Sequence, residues 1–321
     1  MTVIVTGAAG FIGMHVAERL LERGETVVGV DNFNTYYDPA LKPARAARLE
    51  KHPAFRMVRM DIAEAEAFEA LVRETGAKRI VHLAAQAGVR YSIENPFAYE
   101  RANLAGHLSV LEAARRIEAE HLVYASSSSV YGDRPLAGQG FSEDDPTDRP
   151  VSLYAATKKS NELMSASYAK LYGIPLSGLR FFTVYGPWGR PDMAYFSFTQ
   201  KILAGEPIEV FGEGRMARDF TYVDDIVDGI VGVLDRPAEP QAPRVLNIGD
   251  SRPVGLMDMI STLETALGRE AVKVFRPMQP GDVTATYADV SKLNALTGYD
   301  PKVKLEEGIP RFVEWYREFY G

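Results

Sequence analysis

Tyr154-Ala155-Ala156-Thr157-Lys158 sets a phenol and an ammonium at positions i and i+4, which share one face of a helix. Upstream, Ser126-Ser127-Ser128-Ser129 closes an apolar run with a row of hydroxyls. These are the parts that oxidation of an alcohol needs. A base must take the hydroxyl proton as hydride leaves carbon, and a nearby hydroxyl must orient the reacting oxygen. A phenol with a pKa near 10 is a weak base at pH 7, and lowering it by about 3 units takes roughly 4 kcal/mol. One ammonium about 6 Å away, at an effective dielectric of about 20, supplies roughly 2.8 kcal/mol. Lys158 alone therefore falls short, and a second positive charge has to complete the base.

The source of that charge is written at the N-terminus. Gly7-Ala8-Ala9-Gly10-Phe11-Ile12-Gly13 follows the first apolar run and opens the first helical segment. Glycines there allow a tight turn, a close approach of backbone to a pyrophosphate, and close helix–strand packing. The helix start offers unpaired N–H groups to the diphosphate. The spacing is G-x-x-G-x-x-G rather than the commoner G-x-G-x-x-G. Asp31, with Asn32 after it, ends the second apolar run, where an acid takes the hydroxyls of an adenosine ribose and repels a 2′-phosphate. Residues 32–34 include no arginine to receive such a phosphate, so the cofactor reads as NAD, whose oxidised nicotinamide carries the missing charge. Asp61-Ile62 after the third run fits either the adenine or a simple helix cap.

The elements that position these groups alternate. Strand-like runs at Thr2–Thr6, Thr26–Val30, Phe55–Arg59, Arg79–Leu83, His121–Ala125 and Leu176–Phe181 are separated by helical segments at Phe11–Arg23, Ala65–Glu74, Leu104–Arg116 and Leu153–Tyr172. This rhythm predicts a Rossmann-type, doubly wound parallel sheet over residues 1–180. Beyond Phe181 turn formers crowd Tyr185–Pro191, and residues 181–321 read as a smaller C-terminal α/β lobe for substrate, some of whose segments can return to the first domain. Asp235–Pro243, with three prolines, reads as a surface loop.

At 321 residues the chain supports a large core, and with no cysteine it has no disulfide, thiolate metal site or cysteine nucleophile. No metal site is read. Lys+Arg 36 against Asp+Glu 43 gives a net charge of −7, which disfavours nucleic acid and anionic membrane as partners. With no apolar run of membrane-spanning length and no signal-like N-terminus, the expected compartment is cytoplasmic.

Taken together, these residues resemble the extended short-chain dehydrogenase/reductase superfamily. His82–Ser92, Ser126–Gly132, Arg180–Arg190 with Pro191-Asp192-Met193-Ala194, Arg218-Asp219-Phe220-Thr221 and Gln279-Pro280-Gly281-Asp282 look most like UDP-glucuronate 4-epimerases. The resemblance implies NAD-dependent epimerisation of a UDP-hexose through a transient 4-keto sugar, UDP-glucuronate to UDP-galacturonate. UDP-glucose 4-epimerisation and UDP-glucuronate decarboxylation are the alternatives. It implies Tyr154 as base, Lys158 as its activator and a ribose ligand, and Ser127, with Ser128 beside it, at the sugar hydroxyl. Leu83, Ala84, Ala85 and Asn103 would line the cofactor, Arg90, Thr183 and Arg190 the sugar, and Arg218 and Asp282 the nucleotide. Sugar-nucleotide dehydratases carry Asp-Glu where this chain has Ser128-Ser129, and decarboxylases a Glu at Ser129, which weakens both readings. The superfamily also implies a homodimer joined through Leu104–Arg116 and Tyr154–Tyr172, with Ala155, Leu163, Ala166 and Ala169 allowing close packing.

Overall fold

The computed structural model describes residues 1–134, 140–278 and 285–321. Thirteen strands among the described residues are β1 (Thr2–Thr6), β2 (Thr26–Asp31), β3 (Phe55–Arg59), β4 (Arg79–His82), β5 (His121–Ser127), β6 (Leu176–Phe181), β7 (Thr183–Tyr185), β8 (Ile208–Phe211), β9 (Ala217–Tyr222), β10 (Arg244–Ile248), β11 (Pro253–Gly255), β12 (Lys273–Arg276) and β13 (Ala285–Thr286). The helices are α1 (Phe11–Glu22), α2 (Leu41–Leu49), α3 (Ala65–Thr75), α4 (Tyr91–Glu94), α5 (Pro96–Tyr99), α6 (Gly106–Arg116), α7 (Leu153–Tyr172), α8 (Ala194–Ala204), α9 (Val223–Leu234), α10 (Leu256–Leu267), α11 (Ser291–Thr297) and α12 (Leu305–Tyr320).

Seven strands form one parallel sheet in the order β10-β6-β5-β4-β1-β2-β3. Its strands are apolar on both faces because helices cover both. Along β1, Val3 and Val5 face one core with Met14, Ala17 and Leu20 of α1 and Ile226 and Ile230 of α9. Ile4 faces the other, with Phe68 and Val72 of α3 and Val110 and Leu111 of α6. The chain reverses direction across the sheet between β1 and β4, which opens a crevice at their carboxyl ends.

Two features go beyond what the sequence reading specified. The sheet's last strand is β10, which returns from residues 244–248 to lie parallel beside β6. And the segment before α6 is a π-helix, Glu100–Ala105, because Asn161 donates to the Asn103 carbonyl at 2.6 Å and opens the ladder there. Helix α7 matches its expected span: the Ser152 hydroxyl accepts from Ala155 N–H at 3.1 Å, and Gly173, at φ 69°, ends it left-handed.

The remaining strands make a four-stranded sheet of β7, β9, β11 and β13 and a β8–β12 pair. Against them, α8 and α12 pack an aromatic cluster of Tyr195, Phe196, Phe312 and Trp315. Among the described residues no helix is long and apolar enough to cross a membrane.

Candidate active site

At the β1–α1 junction Gly7 adopts φ 73°, and a Cβ on it would sit 2.7 Å from Ala84 N. Gly10, the N-cap of α1, supplies no side-chain acceptor, so the first-turn N–H groups remain available to an anion. Asp31 is buried; its Oδ1 accepts from Phe33 N–H at 2.8 Å and from Lys42 Nζ at 3.1 Å, and its Oδ2 from Ala9 N–H at 3.2 Å. Lys42 is a residue that sequence reading missed, since only folding of α2 brings it to Asp31. Asp61 is not a helix cap, since α3 starts at Ala65 behind Glu64; its Oδ1 closes the preceding turn by accepting from Ala63 N–H at 3.0 Å, its Oδ2 accepts from Arg101 Nε at 2.8 Å, and it lines the same crevice. The uncapped helix start, the glycine cradle and the buried acid together fit a dinucleotide.

The loop after β4 hangs on Thr6, whose hydroxyl accepts from Ala84 N–H at 3.2 Å. Asn103 supports it from behind. Its Oδ1 accepts from Gln86 N–H at 2.8 Å, and its Nδ2 donates to Gln86 O and Thr157 Oγ1, both at 3.0 Å. Asn103 therefore shapes the cofactor wall through Gln86 and is not among the residues that line it.

Strand β5 runs two residues further than its apolar pattern, so Ser127 is its last residue rather than the start of a loop. Ser127 is buried at the strand end, and Ser128 begins a 3-10 turn outside the lining. Tyr154 and Lys158 descend from α7 into the same crevice. Burial pushes the Tyr154 phenol up, while Ser127 and the Arg190 guanidinium work against that and Asp192 works with it. Lys158 is buried with no carboxylate partner among the described residues; its Nζ donates to Ala125 O at 2.9 Å, and desolvation lowers it to about 8. An amine that loses its proton near 8 is neutral where a buried phenol ionises. In the unliganded protein, Arg190 rather than Lys158 is the cation that bears on Tyr154.

Arg190 sits in the loop of residues 186–193, which is pinned from two sides. Arg45, fully buried, donates to Trp188 O at 2.6 Å and Gly189 O at 2.9 Å, and the Trp188 ring lies 5.2 Å from that of Trp315. Arg190 Nε donates to Asp192 Oδ1 at 3.0 Å and Nη2 to Oδ2 at 2.5 Å. Sequence reading left Asp192 without a role, although its place two residues from Arg190 was a usable signal.

Beneath the catalytic edge lies a buried network that spacing did not reveal. Glu162 accepts from Ser126 Oγ at 2.7 Å and from Arg180 Nε at 2.8 Å, and Arg180 Nη1 reaches Tyr131 Oη at 2.9 Å. It ties β5, β6 and α7 together one turn below Lys158.

One crevice thus gathers Gly7, Gly10, Phe11, Ile12, Gly13, Asp31, Asn32, Asp61, Ile62, Leu83, Ala84, Ala85, Ser127, Tyr154, Lys158 and Arg190. Asn34, Tyr36, Tyr37, Lys42, Gln86 and Met193 also line it and were not anticipated. Arg90, Thr183 and Arg218 lie outside the lining. Arg90 is exposed with its guanidinium 5.5 Å from the Phe211 ring centre, Thr183 opens β7 opposite Phe220, and Arg218 sits on β9 between Val254 of β11 and Thr286 of β13. Asp282 falls outside the described residues.

Comparison with known proteins agrees with this geometry. The profile of the NAD dependent epimerase/dehydratase family matches residues 3–249. UDP-glucuronate 4-epimerase 4 of Arabidopsis thaliana is 46% identical, covering 100% of this chain and 76% of its own length. Among solved structures, UDP-glucuronic acid 4-epimerase from Bacillus cereus, in complex with UDP-glucuronic acid and NAD, superposes with a TM-score of 0.92 at 36% identity, covering 100% of both chains. UDP-glucose 4-epimerase from Thermotoga maritima, with UDP-glucose, superposes at 0.90 and 29% identity, again over 100% of both.

Proposed function

The chain belongs to the NAD dependent epimerase/dehydratase family, and on that premise we propose that it interconverts UDP-glucuronate and UDP-galacturonate by epimerisation at C4, with NAD as cofactor. The observation that carries this reading is a single crevice holding a phenol, a serine hydroxyl and an arginine beside a dinucleotide cradle. Gly7, Gly10 and the start of α1 would hold the diphosphate of NAD, and Asp31 the adenosine ribose. Bound NAD supplies reversible hydride acceptance at C4, so the reaction has no net redox change.

The chain's own residues do the rest. Ser127 orients the C4 oxygen and Tyr154 takes, then returns, its proton. Lys158 lies beside them as ribose ligand and activator. Arg218 and Asp282 would fix the nucleotide, leaving the hexose free to turn about its diphosphate linkage. A 4-keto uronate is a β-keto acid and loses CO₂ when its carboxylate bond stands perpendicular to the carbonyl plane. Arg190, with Thr183, would hold that bond near the plane, since a guanidinium grips a carboxylate with two parallel bonds. Ser128 and Ser129 supply no carboxylate for dehydration or decarboxylation.

One observation keeps UDP-glucose epimerisation as a second reading: Arg190 already holds a carboxylate, that of Asp192. Separate incubation with UDP-glucuronate and UDP-glucose, with NMR of the products, decides between them. Conversion of UDP-glucose alone would overturn the first reading.

The proposal extends to organisation. Residues 1–180 form the cofactor domain, joined by β10, and residues 181–321 otherwise form the nucleotide-sugar lobe. The working form is a cytoplasmic homodimer joined through α6 and α7. Supporting this are exposed Leu108, Leu163, Leu171 and Tyr172 on those helices. Ala166 is exposed with them, whereas Ala155 and Ala169 are spent inside the protomer and cannot line the seam.

A further inference from the structure

The loop after β2 follows directly on Asp31, the ribose acid, and its Tyr36 lines the crevice. Tyr36 Oη donates to Asp192 Oδ2 at 3.2 Å, and its ring lies 4.6 Å from that of Tyr91. Gly88, at φ 102°, leaves room for it, because a Cβ there would stand 2.5 Å from the Tyr36 oxygen. Asp192 in turn occupies Nε and Nη2 of Arg190, and Nη1 has no protein acceptor among the described residues. The result is a chain of contacts, Tyr36 to Asp192 to Arg190, running from the cofactor side of the crevice to its sugar side. Asp192 is exposed, and the arginine beside it holds its carboxyl low, so it is a full negative charge at neutral pH.

We propose that Asp192, held by Tyr36, is a positioning and specificity residue: it fixes the plane of the Arg190 guanidinium, leaves the edge formed by Nη1 and the second N–H of Nη2 for the substrate carboxylate, and tempers the affinity of that site for anions. This rests on the reading of Arg190 as the carboxylate anchor. A planar guanidinium clamped along one edge cannot rotate, so a carboxylate taken up by two bonds along its free edge, from Nη1 and Nη2, is held in one orientation. Orientation is what separates the two fates of the 4-keto uronate. In the unwanted one the C5–C6 bond breaks and CO₂ leaves. Its electron pair passes into the C4 carbonyl as an enolate, C5 takes a proton from water, and hydride returned to C4 gives a UDP-pentose. Asp192 also repels the incoming carboxylate, so the clamp costs affinity and gains geometry.

The test uses the NAD-loaded protein and two single substitutions with opposite expected effects on binding and turnover. Asp192→Asn should keep its NAD content and its affinity for UDP. Its KM for UDP-glucuronate should fall about three- to tenfold, because one competing carboxylate is gone. Its kcat should fall at least about tenfold, with pentose rising to about a tenth of product or more, because the grip is no longer fixed. Tyr36→Phe, which keeps the ring against Tyr91, should move all three in the same direction by less. A merely structural role would weaken UDP and UDP-glucuronate alike and release no pentose. Asp192→Asn with wild-type KM, kcat and products overturns the proposal. If Asp192→Asn loses NAD, Tyr36→Phe decides: pentose above the wild-type level supports the clamp, and none overturns it. Arg190→Ala separates the two layers. Wild-type behaviour of that variant on UDP-glucuronate overturns the anchor itself, whereas its impairment beside a wild-type Asp192→Asn overturns only the clamp.

Discussion

Lys158 should make the unliganded protein less stable at neutral pH than its methionine variant would be. The ammonium is buried and, among the described residues, donates only to the Ala125 carbonyl, so the folded state lowers its pKa to about 8 from the ordinary 10.5. Between those values the unfolded chain binds more protons than the folded one, so stability rises with pH from about 8 to 10.5 and the full penalty stands below 8. Linkage puts that penalty at about 3 kcal/mol at pH 7 and about 1 kcal/mol at pH 9.5, so wild type should gain about 2 kcal/mol relative to Lys158→Met over that interval. The methionine keeps the apolar stem but leaves the Ala125 carbonyl unpaired, which costs about 1–3 kcal/mol at every pH and so does not alter the slope. The assay is urea unfolding of both NAD-free proteins at several pH values from 7 to 9.5. A difference between them that stays constant across the series would refute the reasoning. The same variant should lose epimerase activity and move its residual pH optimum upward.

The other expectations concern catalysis, assembly and acid stability. Tyr154→Phe should lose nearly all turnover while still binding NAD and UDP-sugar, and retention of more than about a tenth of the rate would require another base. Arg190→Ala should lose roughly 30-fold to several-thousand-fold in kcat/KM on UDP-glucuronate, the consequence of about 2–5 kcal/mol for truncating a buried charge pair, and should release some UDP-pentose. Light scattering at micromolar concentration should give the mass of a dimer, and Leu163→Glu should shift it to the monomer. His82, His107 and His121 are buried neutral, with desolvation holding His107 at about 3 and His121 at about 4. Only the unfolded chain takes up their protons below about 6.5, so stability should fall by about 1 kcal/mol per histidine between pH 6.5 and 5.5, and His107→Gln should remove one such share from a thermal-unfolding pH series.

What the sequence by itself determined is what nearest neighbours along the chain control. The strand spans of β1, β3 and β6 follow from short runs of apolar and β-branched residues, and α7 from Ser152 and Gly173 at its ends. The glycine turn is legible because only glycine fits a left-handed Gly7 pressed on Ala84. Tyr154 and Lys158 share a face through helical periodicity alone. Even the extra residues of β5, Ser126 and Ser127, escaped notice only because hydroxyls carry no apolar signal. The tertiary structure decided everything that depends on which distant segment arrives. Lys42 against Asp31, Asp192 against Arg190 with Tyr36 across from it, and Glu162 against Arg180 are charges whose partners no spacing encodes. The return of β10 to the sheet edge is of the same kind. Local conformation is set by short-range sterics and hydrogen bonds that each residue type carries with it. The field at the Tyr154 oxygen instead comes from Ser127 at the end of β5 and from Arg190 and Asp192 in the loop of residues 186–193, and it exists only once the chain has closed around them.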